Sequence, residues 1–358
     1  MPATAQAGTF TVDPSAAAGC SASNVCKTIL DANAKVADGD IVEIKDGAYV
    51  ESGPIVVTKP NVTFRGTPGK VTITQTDGKP DTPVFSLGAG TTLDGLIIGV
   101  QPGGAEAVVA SQGGGHIKSS TLARAQSTSV DAAVLASAAP AGVMTVLHST
   151  ILQLPQSPGA ASPPAVRGSR GESLAISGST ILSSVGAGVV FNGKDANTRN
   201  SVVSSSIYTS RADADAIVAA NPADQPGSQE VFVDSSILAP GAEGTGIAAS
   251  SAANADARGG PVTVSGVHVT IAGGAEPATA SAGAQQIPLG GGVAGPVEVG
   301  LDRSIVHGKA PSTVHTETAG ILGILPIGPT SVAKVLITNS DATDTPHTGV
   351  TVTNGTTT

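Results

Sequence analysis

The hexapeptide Ile176-Ser177-Gly178-Ser179-Thr180-Ile181 joins two aliphatic ends through a turn-former and two hydroxyls. Working outward from it in both directions, the same template recurs in Val146-Leu-His-Ser-Thr-Ile151, Ile117-Lys-Ser-Ser-Thr-Leu122, Val202-Val-Ser-Ser-Ser-Ile207 and Phe232-Val-Asp-Ser-Ser-Ile237. Weaker copies are Leu93-Asp-Gly-Leu-Ile-Ile98, Val264-Ser-Gly-Val-His-Val269, Gly300-Leu-Asp-Arg-Ser-Ile305 and Ile337-Thr-Asn-Ser-Asp-Ala342. A unit that returns every few dozen residues marks a repeat architecture, in which each copy buries its apolar face only by stacking on its neighbours. The third column holds Gly95, Ser119, His148, Gly178, Ser204, Asp234, Gly266, Asp302 and Asn339, most of them residues that tolerate a left-handed backbone. A corner is therefore expected there. The fourth column, mostly Ser, and the sixth, mostly Ile, Leu or Val, alternate inward, while the fifth points out. Coils of short strands and corners with no helical periodicity predict an all-β parallel β-solenoid, its inward serines stacking and bonding corner backbone groups that would otherwise be buried unpaired.

Composition agrees with a core of small and branched side chains. The chain has 358 residues, of which 40% are hydrophobic and 2% aromatic, with 46 Gly, 24 Pro and no Trp. Such a length fits one elongated all-β fold. With 27 acidic against 18 basic residues the formal charge is −9, which argues against nucleic acid or an anionic membrane as partner. No apolar run is long enough to span a bilayer.

The first third is expected to start the solenoid. Residues 1–19 read as a leader remnant and an N-terminal strand, since Ala5 and Ala7 of Met1-Pro-Ala-Thr-Ala-Gln-Ala7 resemble the small-residue positions before a cleavage site. Residues 20–36 are assigned to a disulfide loop and a capping helix. Cys20 and Cys26 are close enough to pair, which suits export, with a metal pair as the rival reading. Ser23 or Asn24 is expected to cap a helix through about Val36, with Val25, Ile29, Ala32 and Val36 on one face. Residues 37–345 form the β-helix, and 346–358 a tail or a linker.

The segments Cys26-Lys-Thr-Ile29, Ala37-Asp-Gly-Asp-Ile-Val-Glu-Ile-Lys-Asp-Gly-Ala-Tyr49 and Asn61-Val-Thr-Phe-Arg-Gly-Thr-Pro-Gly69 resemble the opening rungs of secreted right-handed parallel β-helix proteins of the pectin-lyase-like superfamily. The resemblance implies handedness and fold. It leaves activity open, because that superfamily includes lyases, hydrolases, esterases and adhesins. Its lyases, as the resemblance implies, hold calcium on an acidic outer face beside an Arg or Lys base, and its hydrolases carry Asp residues on adjacent rungs.

Three residues from successive coils form the catalytic candidate: Asp234, His268 and Asp302, a histidine flanked by two carboxylates as a general base would need. Against it, Asp at a corner is also what a left-handed turn accepts, and His268 falls in an outward column otherwise held by Thr or Ser. Arg303, in the inward fourth column, would need an acid such as Asp302 or Glu298 or a slip of register. The acidic patch Asp213, Asp215, Asp224, Glu230 and Asp234 with Arg211 reads as a solvated insertion. The Gly113–Gly115 and Gly290–Gly295 runs lack the rest of a phosphate loop, and the other histidines show no metal spacing. Outward hydroxyls at Thr121, Thr150, Thr180, Ser206, Ser236 and Ser304 form an array regular enough to meet ice or a mineral, although hydroxyls are common on strands. Scarcity of aromatic rings argues against a long oligosaccharide cleft.

The expectation is a non-enzymatic exported module acting at the cell surface or in the extracellular matrix. A carbohydrate-active lyase or hydrolase of the same fold is the alternative. No cofactor is implied, and only the enzyme alternative admits calcium. Expected partners are polysaccharide or cell-surface components, together with self-association through an uncapped C-terminal coil.

Overall fold

In the computed structural model the chain winds into coils, each contributing one strand to each of three parallel sheets, of 13, 11 and 11 strands. The structure describes residues 7–75, 82–100, 107–111, 113–124, 132–137, 142–154, 162–169, 173–193, 197–222, 226–253, 260–274, 276–284, 296–307, 313–319, 333–338, 341–343 and 349–353. A representative coil runs through Gly115–Lys118 in the first sheet, Thr121–Arg124 in the second and Val134–Ser137 in the third, then returns to the first at Val143–Leu147. Every strand pairs in parallel with its counterparts in the neighbouring coils, as the hexapeptide repeat requires.

Burial alternates along each strand, so aliphatics at every second position form continuous inner columns. In the second sheet Ile73, Ile98, Leu122, Ile151, Ile181 and Ile207 follow one another and are fully buried. Such side chains each contribute about 1.5–3 kcal/mol on leaving water. Near the N-terminal end, where aromatics enter the core, Phe64 and Phe85 meet edge to face with ring centroids 5.6 Å apart.

Between the first and second sheets lies the corner. Its residue has positive φ at Gly95, Ser119, His148, Gly178, Ser204, Ser235, His268 and Arg303. After six of these corners comes a buried serine, with Leu96 and Val269 in its place after Gly95 and His268, and its hydroxyl does two things. Ser149 Oγ donates to Leu147 O at 2.8 Å and accepts from Ser120 N at 3.2 Å; Ser179 and Ser205 repeat the pattern one and two coils on. The expected inward serine column is thus a ladder that satisfies the backbone groups freed by each bend.

Three copies of the template slip. The corner falls on Ser235, His268 and Arg303 rather than on Asp234, Gly266 and Asp302. Ser236 and Ser304, expected outside, are each 1% exposed and belong to the inward ladder. Ser-Ser-Ile fits the template in two registers one residue apart, and a one-residue shift exchanges every inward and outward side chain. Packing selects the register that buries Leu238 and leaves Ile237 outside.

The expected helix from Ser23 or Asn24 to about Val36 shrinks to one turn, Ile29–Asn33. Residues ahead of it are consumed otherwise: Cys20 and Cys26 form a disulfide, Asn24 has positive φ, and Val25–Cys26 pairs with the strand Thr9–Val12. Thr28 caps the turn by accepting from Asp31 N, and the Glu51 carboxylate accepts from Ile29 N at 2.9 Å and Leu30 N at 3.1 Å. Burial raises the Glu51 pKa, opposed by those two bonds. Within the segment expected to be a tail, Gly349–Thr353 continues the third sheet.

Two corner glycines differ in what hems them in. A Cβ at Gly95 would overlap the backbone carbonyl of Gly66, whereas one at Gly178 would overlap the ring of His148 from the coil before. Backbone cannot swing away and a ring can. Gly95→Ala is therefore expected to cost about 1–3 kcal/mol more than Gly178→Ala, and His148→Ala to rescue only the second, in a thermal double-mutant cycle.

Candidate functional site

Outward residues of the first sheet line up in three columns over four coils. One column holds Arg199, Glu230, Thr263 and Glu298, the next Ser201, Phe232, Ser265 and Gly300, and the third Val203, Asp234, Val267 and Asp302. The first two columns line a groove of about 450 Å³ whose walls include Arg199, Ser201, Glu230, Phe232, Thr263 and Ser265. Arg199 Nε lies 3.1 Å from Glu230 Oε2, and both side chains are exposed. Phe232 is 44% exposed, an uncommon cost for a ring that the core could have taken. Neither Phe232 nor Arg199 was among the sequence candidates. The template hid Phe232 by placing it in the apolar first column, where Ile117, Val146, Ile176 and Val202 are buried, and the one signal that could have revealed it is its Val231 and Val233 neighbours, which are buried in its stead.

Asp234, His268 and Asp302 lie along one edge of this face, and of the three only Asp234 and His268 bring their side chains together. His268 is the corner residue, with φ 53°, and its Nδ1 sits 3.5 Å from Asp234 Oδ1. Asp302 turns instead to Arg303, Oδ2 to Nε 3.3 Å, while its carbonyl accepts from His268 N at 3.1 Å. Asp234 and Asp302 share a column with Val267 between them, so their backbones are two strand spacings, roughly 9.6 Å, apart. Arg303 is not the inward residue expected: the register slips, and the guanidinium stands at a corner with its side chain 63% exposed.

The acidic patch disperses. Asp213 pairs with Arg211 at 2.6 Å, Asp215 accepts from Thr245 N at 2.7 Å, and Glu230 and Asp234 have the partners already named. Burial raises the Asp215 pKa. Asp224, the Gly290–Gly295 run and His347 lie outside the described residues. Among the described residues no group of three or more His, Cys, Asp or Glu converges to hold a metal ion. No helix among them is long and apolar enough to cross a membrane.

No protein-family model matches the chain, and no curated protein matches it in sequence. In structure it is similar to the endo-xylogalacturonan hydrolase of Aspergillus tubingensis, with a TM-score of 0.52 and 11% identity over 98% of this chain and 100% of that one. It is also similar to the A-module of a mannuronan C-5 epimerase of Azotobacter vinelandii, with a TM-score of 0.47 and 10% identity over 87% of this chain and 91% of the other. At such identity the likeness speaks for the fold alone. The three long parallel sheets and this full-length correspondence make the chain a right-handed parallel β-helix of the pectin-lyase-like fold.

Proposed function

We propose that this chain is a carbohydrate-active β-helix that lays a neutral glycan across its first sheet, with Asp234, His268 and Asp302 as the groups that act on it. The observation that carries the reading is the groove around Phe232: an exposed ring flanked by Ser201, Thr263 and Ser265. A ring face suits the apolar face of a sugar, and hydroxyls on either side suit its hydroxyl edge. The polysaccharide hydrolase that shares the fold at full length lends support. A neutral polymer is favoured over a uronate because both guanidinium groups of this region, Arg199 and Arg303, already face acids. Uronate carboxylates would also meet Glu230, Glu298, Asp234 and Asp302 on a chain of net charge −9.

Chemically, Asp234 and Asp302 stand two strand spacings apart along one column, which leaves room between them for a sugar and a water, as inverting hydrolysis by two carboxyl groups requires. Asp302, beside Arg303, is one of the two proton-transfer groups. Asp234 with its partner His268 is the other. The disulfide at Cys20 and Cys26 accords with export to an oxidising compartment.

A second reading, an exported surface module that binds without turnover, is favoured by openness: the side chains of His268 and Asp234 are 52% and 31% exposed, so water screens the charges that catalysis would use. A screen of neutral and acidic polysaccharides, with and without chelator, separates the readings. Turnover of a neutral glycan that survives chelator is expected. Calcium-dependent turnover of a uronate polymer would overturn the substrate class, and binding without any turnover would establish the second reading. Phe232→Ala is expected to weaken glycan binding about fivefold to tenfold, read by calorimetry, with no change in melting temperature.

A further inference from the structure

The outer face of the second sheet is built unlike that of the first. From Gly47–Glu51 to Thr270–Ala272 its nine strands point two columns of side chains outward, and among the described residues neither column contains an Asp, Glu, Lys or Arg. Val50, Leu182, Tyr208 and Ile237 stand on it at 57, 39, 38 and 41% exposure. The first sheet, by contrast, carries Glu43, Arg65, Asp94 and Lys118 in one outward column. A contiguous uncharged surface with large exposed aliphatics is the usual mark of a contact face.

We propose that this face pairs with the same face of a second copy of the chain, the two solenoids running antiparallel about a twofold axis along the strand Thr150–Gln153. The size profile of the columns is what specifies the axis. That operation keeps each column opposite itself and reverses the order of the strands, so residues equally far before and after Thr150–Gln153 meet. Tyr208 then falls on Gly99 and Leu182 on Ala123, while Val50 falls on Ala272, each large side chain opposite a small one. In the neighbouring column Ile237 meets Thr72 and Ile97 meets Ser206 by the same rule. Only Leu152 and Thr150, on the axis, meet themselves.

Relief of this kind separates a protein partner from the alternatives. A flat crystal such as ice calls for side chains of one height, and this face runs from Gly99 to Tyr208. A glycan site sets hydroxyls beside its ring, as Ser201 and Ser265 stand beside Phe232, whereas the neighbours of Tyr208 in its column are Leu182 and Ala239. Nine strands at about 4.8 Å make it roughly 38 Å long, and two columns with their side chains make it roughly 13 Å wide, so two copies would bury roughly 1,000 Å². That is the lower limit for a specific interface and predicts a weak dimer, with a dissociation constant in the micromolar range. Two chains of charge −9 repel elsewhere, and this face lets them meet without opposing like charges.

Sedimentation of the whole chain from low micromolar to submillimolar concentration tests it. The wild type is expected to dimerise, with little loss in high salt, because no charge pair crosses the contact. Leu182→Lys is expected to weaken the dimer at least about tenfold, while Val56→Lys, exposed on the third sheet, leaves it intact. Ala123→Leu alone sets ridge on ridge and is also expected to weaken it at least about tenfold; Ala123→Leu with Leu182→Ala exchanges ridge and hollow and is expected to recover affinity to within about threefold. A wild type that stays monomeric throughout, with or without activity against ice growth, overturns the proposal. So does a double variant whose losses simply add.

Discussion

Asp302→Asn is expected to lower turnover of a neutral glycan by about 10²–10⁴-fold, the range a positioned proton-transfer group contributes, with the fold intact. An amide keeps the shape of the carboxyl but cannot carry a proton to or from the reacting atoms. The fold should not suffer, since the Asp302–Arg303 pair is open to solvent, with side chains 33% and 63% exposed, and such pairs are worth little. Asp234→Asn and His268→Gln are expected to fall in the same range, and the double variant to be no worse than either single one, because the two side chains touch and act as a unit. Single-turnover kinetics with melting curves check this. Full turnover in Asp302→Asn with a normal melting curve would remove Asp302 from the mechanism, whereas losses at Asp234 and His268 that multiply would separate those two roles.

The second large effect is on stability. Ser179→Val is expected to cost about 1–3 kcal/mol, well above a typical surface substitution, by leaving the Ser149 N–H buried without its partner, while the Ser177 carbonyl keeps the His148 N–H. The ladder contains its own control. Val269 occupies the same inward column, is fully buried, and donates its N–H to Ser304 Oγ at 3.2 Å, but has no hydroxyl to offer the coil before. Val269→Ser removes about 1.5–3 kcal/mol of apolar burial and adds two hydrogen bonds worth about 0.5–1.5 kcal/mol each, so it is expected to shift stability little. Chemical denaturation of both variants decides it. If Ser179→Val melts like the wild type, the hydroxyl ladder is decoration and the aliphatic columns alone hold the coils.

How far the sequence could be read depended on which side chains repeat unambiguously. Ile176-Ser-Gly-Ser-Thr-Ile181 and its close relatives place corner, hydroxyl and aliphatic in one register only, because the glycine or an isolated turn-former marks the bend. Where Ser-Ser-Ile stands alone, as at Ser235-Ser236-Ile237, local pattern fits two registers equally. That ambiguity put Phe232 in the apolar first column and Arg303 in a core it does not enter, while at Val264-Ser-Gly-Val-His-Val269 a glycine that is not the bend took the corner from His268. Asp234 and His268 were still brought to one place, since a slip of a residue or two changes a face but not the coil. The N-terminal helix failed for a different reason. Its periodicity was real, but the disulfide and the strand Val25–Cys26 claimed the first half of it.

Local chemistry therefore determined the coil. Turn-formers at the corner, inward serines and an aliphatic every second residue admit a stack of parallel strands and little else, because each unit can bury its apolar face only against a copy of itself. Which outward side chains stand side by side was decided by the stacking, since residues some thirty positions apart become neighbours only when the pairing register is set by what the core will accept. The groove at Phe232, the Asp234–His268 contact and the uncharged second face are all properties of that register, and no single coil contains them.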